Sequence, residues 1–564
     1  MLADITPPQM ARFRQSPGMP IATPPEFLLQ PRVGDLVMIR VLCATLVALQ
    51  LSVSAQAQPA APVAWAFVLL GEGSDGRPVP MVRSVEEGGT TCPTLRDAAG
   101  ATVTTLSPRR RPAGGHFDEV MVCEAVYPVG RPGNVQFASR RVDLPVVSLG
   151  TPRRIVMLGD SGCEGAAGLW PQLCIGNGYD RMWPFGTIST EGAADGPDLI
   201  VHLGDYNYRG TPHFIVFPTR ATGYAYDLRV SVFDSGDLDD EDETPSYPIG
   251  PGYWSQNMQG SPLPDRWSYW RDDFFIPSTR LLVAAPWLLS RGNHELCSRA
   301  GRGWFYLLDA ASSLLGPGRS QSECPSQTPS DWKPGAWPPP PALPFEGRSF
   351  PTAPHAPFRV RLGELDFIVI DSSDAGDAAL FALQHYVTVY RSVADLLAQS
   401  GNPTWLITHR PIWGVVRKIK GSPAGDAPYG FINLTQQSAI AAVFRDGLPS
   451  HVKAVFSGHM HRFQAVGFAG RRPPQLSVGT GGTHLARVIP EPLPSAPRRP
   501  IRVPGLDWLD AHVVGLSDFG ALIVTPGDDG AWTGVFRGVD NQPLAVCDSR
   551  WAAEPGERSV CALQ

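Results

Sequence analysis

The chain lacks a surplus of positive charge. Its 47 lysines and arginines stand against 53 aspartates and glutamates, a formal net charge of −6. This argues against nucleic acid as the main partner, because duplex binding usually needs a basic face. It also lacks the local signatures of several enzyme classes. No G-x-S-x-G elbow is present, which removes the commonest serine-hydrolase arrangement. The glycine-rich stretch "LSVGTGGTHL" at 476–485 has neither the Walker lysine nor the dinucleotide pattern. It reads as a close backbone approach near a site, with His484 in a supporting role. The acidic run "DSGDLDDEDE" lacks a glycine and a glutamate at the EF-hand positions and reads as a solvated loop. No cysteine pair has CxxC spacing, so a structural zinc is not expected.

What the chain does have is ordinary globular composition, 43% apolar and 18% charged, over 564 residues. That is long enough for more than one domain. Glycine and proline number 58 each, which predicts many long loops. From Met38 the sequence has the form of an export signal: Arg40 as a short basic region, an apolar run from Val41 to Val53, and Ala55-Gln56-Ala57 as a cleavage pattern. The run is too short for a stable membrane span, although an uncleaved anchor is the alternative reading. Residues 38–57 are therefore expected to be a signal peptide, and 1–37 a disordered segment or a mis-assigned start. The expected location is periplasmic or secreted. Of nine cysteines, Cys43 lies inside the signal. The others suit disulfides in an oxidising compartment. Loop closure favours near neighbours, hence Cys92–Cys123, Cys163–Cys174, Cys297–Cys324 and Cys547–Cys561.

Residues 58–150 read as a small N-terminal all-β domain, with runs such as "WAFVLL", "EVMVCEAVYP" and "NVQFASRRVDLPVV" between turn residues. It shows no catalytic constellation. Residues 151–564 read as an α/β catalytic domain. Apolar strands recur there and each ends in a polar cluster: "RRIVMLGDSG", "PDLIVHLGDYNY", "WLLSRGNHE", "LDFIVIDSSD", "TWLITHRP", "KAVFSGHMH" and "QLSVGTGG". Continuous apolar runs suit strands buried on both faces. In such sheets ligands sit beyond the carboxyl ends of the strands. A helix is expected in "ALFALQHYVTVYRSVADLLAQ" from Ala379. Insertions at 211–270, 316–357 and 487–510 have the length of lids or substrate walls.

The polar residues at the strand ends are Asp160, Asp205, Tyr208, Asn293, His294, His409, His459 and His461. Carboxylate, amide oxygen and imidazole form a ligand set for hard to borderline cations. In order, "GDSG", "GDYNY", "GNHE", "LITH" and "GHMH" resemble the motifs of the calcineurin-like metallophosphoesterases, most of all the purple acid phosphatase branch. The resemblance covers roughly residues 153 to 485. Most calcineurin-like enzymes open with DxH. This chain has Gly162 at that place and gains Tyr208 in GDxxY, as the purple acid phosphatase branch does.

The resemblance implies a four-layer αββα sandwich and two metal ions. Asp160, Asp205, Tyr208 and His461 would bind the first, with Asp205 bridging; Asn293, His409 and His459 would complete the second. A phenolate ligand suits Fe(III) at the Tyr208 site, with Fe(II), Zn or Mn at the other. His294 would act on the substrate as the catalytic residue. The implied reaction is hydrolysis of a phosphorylated small molecule by metal-bound hydroxide, as in an acid phosphatase acting on phosphate monoesters. A phosphodiesterase or nucleotidase using the same site is one alternative. A non-catalytic surface-binding protein with a structural metal site is another. Arg291 could hold phosphate or pair with a carboxylate. Trp413, Arg417 and Lys418 could contact substrate, and Tyr206 reads as packing.

Overall fold

Apolar, β-branched runs closed by glycine and proline give strands throughout the chain, and helices are few. The computed structural model describes residues 64–112, 116–164, 172, 174, 176–208, 265–296, 300–324, 355–375, 383–417, 429–468, 472–486, 501–504, 508–553 and 560–564. The segment 38–57 expected as a signal peptide, residues 1–37, the acidic run, "WPPPPALP" and the Pro/Arg-rich loop at 487–500 lie outside the described residues.

In chain order the strands are β1 (Ala64–Glu72), β2 (Pro78–Glu87), β3 (Thr94–Asp97), β4 (Thr102–Thr105), β5 (Ser107–Pro108), β6 (Val120–Val126), β7 (Gly133–Gln136) and β8 (Arg141–Leu144). Next come β9 (Ile155–Leu158), β10 (Leu199–His202), β11 (Trp287–Leu289), β12 (Phe358–Leu362), β13 (Leu365–Ile370), β14 (Thr404–Thr408), β15 (Val415–Arg417) and β16 (Tyr429–Phe431). The last are β17 (Val452–Ser457), β18 (Phe463–Phe468), β19 (Gln475–Val478), β20 (Ile501–Pro504), β21 (Trp508–Leu516), β22 (Gly520–Pro526), β23 (Trp532–Gly538), β24 (Pro543–Asp548) and β25 (Cys561–Leu563). The principal helices are α1 (Phe185–Ala194), α2 (Gly301–Leu307), α3 (Leu383–Ala398) and α4 (Leu434–Val443).

Two large mixed sheets dominate. One has 11 strands in the order β25-β24-β23-β22-β9-β10-β11-β1-β2-β6-β5. The other has 8, in the order β12-β13-β14-β17-β19-β18-β21-β20. Within the first, β9, β10 and β11 run parallel; within the second, so do β13, β14, β17 and β19. Strand β1 pairs with β11 through Leu69 and Trp287. That contact joins β1, β2, β6 and β5, from the segment expected as a separate small β domain, to the first large sheet. Strands β3, β4, β7 and β8 form a four-stranded sheet of their own.

Alternation along the second sheet explains how it is buried. Phe367, Val369, Trp405, Ile407 and Phe456 enter one apolar cluster together with Ile155–Leu158 and Leu199–Val201 of the first sheet. Their neighbours Ile368, Ile370, Leu406 and Val455 enter another, with Tyr386, Tyr390 and Val393 of α3 and Ala439 and Ile440 of α4. Phe463 stacks on Phe536 with ring centroids 4.5 Å apart, one from each sheet. The expected helix from Ala379 is described from Leu383 onward.

The disulfides Cys92–Cys123, Cys163–Cys174 and Cys547–Cys561 are formed. Cys324 is disulfide-bonded, while Cys297 lies outside the described residues. Among the described residues no helix is long and apolar enough to cross a membrane.

Candidate metal centre

The parallel strands of both sheets end at one place. Asp160 follows β9, Asp205 follows β10 and Asn293 follows β11 in the first sheet; His409 follows β14, and His459 and His461 follow β17 in the second. All eight sequence-predicted residues lie here. Seven are no more than 3% exposed, and His461, at 9%, is the most open.

Two groups of ligand atoms converge: Asp160, Asp205 and His461 form one, and Asp205, His409 and His459 the other. Asp205 belongs to both. In the first group the Tyr208 hydroxyl lies 3.1 Å from Asp160 Oδ1, 3.0 Å from Asp205 Oδ2 and 2.9 Å from His461 Nε2. A phenol has one proton and cannot serve all three. In the second group Asn293 Oδ1 lies 2.7 Å from His409 Nε2 and 3.1 Å from His459 Nδ1. His409 Nε2 is also 3.2 Å from Asp205 Oδ2. Carboxylate, phenol and amide oxygens with imidazole nitrogens aimed at common points are the donor chemistry that fits cations of this kind.

The backbone bends sharply to do this. Asp160, Asp205, His459 and His461 all have positive φ, at 57°, 59°, 72° and 45°. Such conformations cost about 1–3 kcal/mol each and concentrate at functional sites. They are held by hydrogen bonds between the turns. Asp160 accepts the His459 amide at both carboxylate oxygens, 3.0 and 2.9 Å. Asp205 Oδ1 accepts the His294 amide at 2.9 Å. Gly292 is required by contact: a Cβ there would stand 1.9 Å from Asp205 Oδ1. Gly162 is required in the same way. A Cβ would meet the Tyr206 carbonyl oxygen at 2.6 Å and Tyr208 Cδ2 at 2.8 Å. The Tyr208 ring thus takes the space a larger residue at 162 would need.

Charges in the cluster are unequal. Burial works against the Asp205 carboxylate, but His409 and His294 outweigh it and hold the group well below the usual range. Burial pushes Asp160 up to about 6, with His409 opposing and Asp205 adding. Burial also works against a charged His409, yet Asp205 raises it to about 9.

His294 is brought to the first group. Its ring lies 3.9 Å from that of Tyr208, centroid to centroid. Arg291 pairs with Asp371 at 2.9 Å and donates to Ser373 Oγ at 2.8 Å, so the carboxylate reading of this residue is the one observed. Trp413 packs against Phe468 at 5.4 Å. The Arg417 side chain and Lys418 lie outside the described residues. Tyr206 is packed as expected, stacked on His202 at 3.9 Å with its hydroxyl donating to Ser290 O at 3.0 Å.

Sequence reasoning missed two groups. Glu295 is fully buried, and its carboxylate accepts four amides: Asp205 at 3.1 Å, Tyr206 at 2.8 Å, Asn207 at 3.2 Å and Gly292 at 3.1 Å. It fixes the GDYNY and GNHE turns against each other. The signal was the acid closing "GNHE". Burial, then the Asp205 charge, push its carboxyl up to about 8. Arg410, next to His409, places Nη1 3.3 Å from His459 Nε2.

No family model and no curated protein matches the chain. Among solved structures it is similar to the purple acid phosphatase PPD1 from yellow lupin (Lupinus luteus) seeds, at 12% identity and a TM-score of 0.45, over 85% of this chain and 73% of that one. It is also similar to GAP50, the anchor in the inner membrane complex of Plasmodium, at 12% identity and a TM-score of 0.29, over 70% of this chain and 88% of that one.

Proposed function

We propose that this chain is an exported dinuclear-metal phosphoester hydrolase acting on phosphate monoesters of small molecules. One observation carries the reading: two converging Asp/His groups share Asp205, and their residues come from four of the five strand-end motifs that resemble those of purple acid phosphatases. Asp160, Tyr208 and His461 would hold one cation and Asn293, His409 and His459 the other, with Asp205 common to both. The phenolate side suits Fe(III) and the nitrogen-rich side Fe(II), Zn or Mn. Such a pair supplies Lewis acidity at the phosphoryl oxygens and lowers the pKa of water.

The chain's own residues do the remaining work. Burial of the donor set keeps bulk water from competing with a bound ester and strengthens every charge interaction there. His294, its ring packed at a tilt against that of Tyr208, would hydrogen-bond the phosphoryl group and stabilise charge as it develops. Export is supported by the three described disulfides.

The test is metal analysis of protein from the exported fraction, with a phosphoester panel from acidic to alkaline pH. A bound metal pair and faster cleavage of monoesters than diesters are expected. Asp205→Asn should lower activity by on the order of 10²-fold or more, since even outer-shell changes cost 10–100-fold. Iron on Tyr208 should give a visible charge-transfer band that Tyr208→Phe removes. Full activity of Asp205→Asn would sink the proposal, and preferred cleavage of diesters would move it to a phosphodiesterase.

A further inference from the structure

A further imidazole, that of His484 in the glycine-rich stretch 476–485, lies outside the five strand-end motifs. His484 lies on the loop after β19, which is fastened to the first group at two points. Thr483 N donates to Asp160 O at 2.9 Å and Ala486 N to His461 O at 2.8 Å. His484 sits between these attachments. They hold the loop against the backbone of Asp160 and of His461, the least covered of the clustered residues. Its Nδ1 is 3.2 Å from Glu164 Oε2; the imidazole side chain is 37% exposed and the carboxylate side chain 9%.

Glu164 is itself fixed. Its amide donates to Gln172 Oε1 at 2.9 Å, and its carbonyl accepts the Gln172 amide at 3.1 Å. Gln172 Nε2 reaches across to Gly482 O at 2.8 Å, on the His484 loop. The Cys163–Cys174 disulfide closes the same segment. An ionised carboxylate can only accept, so Nδ1 carries the proton toward Glu164 and Nε2 is the edge turned away from it. A buried acid orienting a half-open imidazole is the arrangement of a proton donor to a ligand.

We propose that His484, oriented by Glu164, contacts the substrate on the His461 side and protonates the leaving-group oxygen, which suits the site to monoesters of alcohols. The inference rests on the phosphoester reading above. In the step, the ester P–O bond breaks and its electron pair stays on the leaving oxygen. That oxygen takes the proton from His484 Nε2. Water provides the new P–O bond, and the proton it releases restores the imidazolium. Alkoxides leave poorly unprotonated, whereas nitrophenolate leaves readily. His484 is then a catalytic residue and Glu164 a positioning residue.

The experiment compares kcat/KM for an alkyl phosphate and for 4-nitrophenyl phosphate in the metal-loaded full chain, with metal content and thermal midpoint measured alongside. His484→Asn should lower alkyl phosphate cleavage by about 10²-fold or more, the usual scale of general acid catalysis, with only a few-fold change on the nitrophenyl ester and unchanged metal content. Glu164→Gln should give a smaller loss with the same dependence on leaving group, a pattern that a merely structural role would not produce. Equal losses on both esters, or no loss, in variants made from an active wild type would overturn the role of His484 alone. A metal-loaded wild type that cleaves neither ester would overturn the phosphoester reading and this inference with it.

Discussion

At position 162 a methyl group would press on the Tyr206 carbonyl and on the Tyr208 ring at once. One atom is backbone and the other belongs to a buried ring, so neither yields cheaply. Gly162→Ala should therefore cost about 1–3 kcal/mol, the usual range for overpacking, and weaken metal retention by moving Tyr208. Urea titration and metal stoichiometry of the purified variant would check both, and wild-type values for each would show that the loop relaxes freely. Glu295→Gln makes a different demand. Both oxygens of Glu295 accept backbone amides, so the new NH2 must face two N–H donors whichever way it turns. A loss of about 1–3 kcal/mol is expected from buried donors left unsatisfied, together with reduced metal affinity because Asp205 is held by the same turn. Glu295→Asp should not restore it, since a shorter acid cannot span both turns. That the eight residues would gather was legible because four of the five motifs tie a ligand-type side chain to a glycine that lets the strand end turn, and the fifth, "LITH", closes an apolar strand on a histidine. Glu164 and His484 were not legible as a pair: 320 positions separate them, and only folding makes them neighbours.

The end of α2, the helix shortly after "GNHE", is closed by side chains on the first large sheet and just past its strand β5. Arg109 donates to the carbonyls of Phe305, Tyr306 and Ala311, and Arg83 to those of Leu307 and Asp309. Glu124 binds both arginines, at 2.7 and 2.6 Å, and all three side chains are buried. Removing the one acid leaves two guanidinium charges buried together, so Glu124→Gln should cost about 3–5 kcal/mol in denaturant titration. Burial works against the Glu124 charge, but Arg83 and Arg109 hold its pKa below the ordinary value. Its contribution is present above the unfolded value of about 4.3 and is lost as pH falls through the lower folded value. The opposite sign holds nearby. His355 Nε2 pairs with Asp309 Oδ1 at 2.9 Å. Burial opposes its charge, but Asp309 and then Asp371 raise its pKa. That stability is full below about pH 6.5 and is lost as pH rises through the higher folded value. His355→Gln should flatten the alkaline decline of the denaturation midpoint; an unaltered alkaline limb would remove the pair from the account. The strands themselves were readable as apolar runs bounded by turn residues. Which sheet each would join was not, because the pairing of Leu69 with Trp287 depends on chain positions far apart.

Across the whole molecule, the candidate ligands come from both large sheets. Asp160, Asp205 and Asn293 follow strands of the first, and His409, His459 and His461 follow strands of the second. Between those ends the sheets are joined by apolar packing, such as Phe456 against Trp532 at 5.6 Å. Beyond them, two carboxylates, three imidazoles, an amide and a phenol are confined together, four of these seven residues at positive φ. Cations held there would tie one sheet to the other and offset that local cost. A ligand that binds only the folded state adds RT ln(1 + [L]/Kd), about 4 kcal/mol at a thousandfold excess over Kd. Chelation should therefore lower the thermal midpoint of the whole unit by several degrees, and readdition of metal should restore it. The same treatment should move Asp205→Asn far less, because that variant has lost the group common to both subsites. Glu124→Gln, which acts on α2, should keep the full metal-dependent shift from its lower starting point. A wild-type midpoint indifferent to chelator, in protein shown to have lost its metal, would mean that apolar packing alone joins the two sheets.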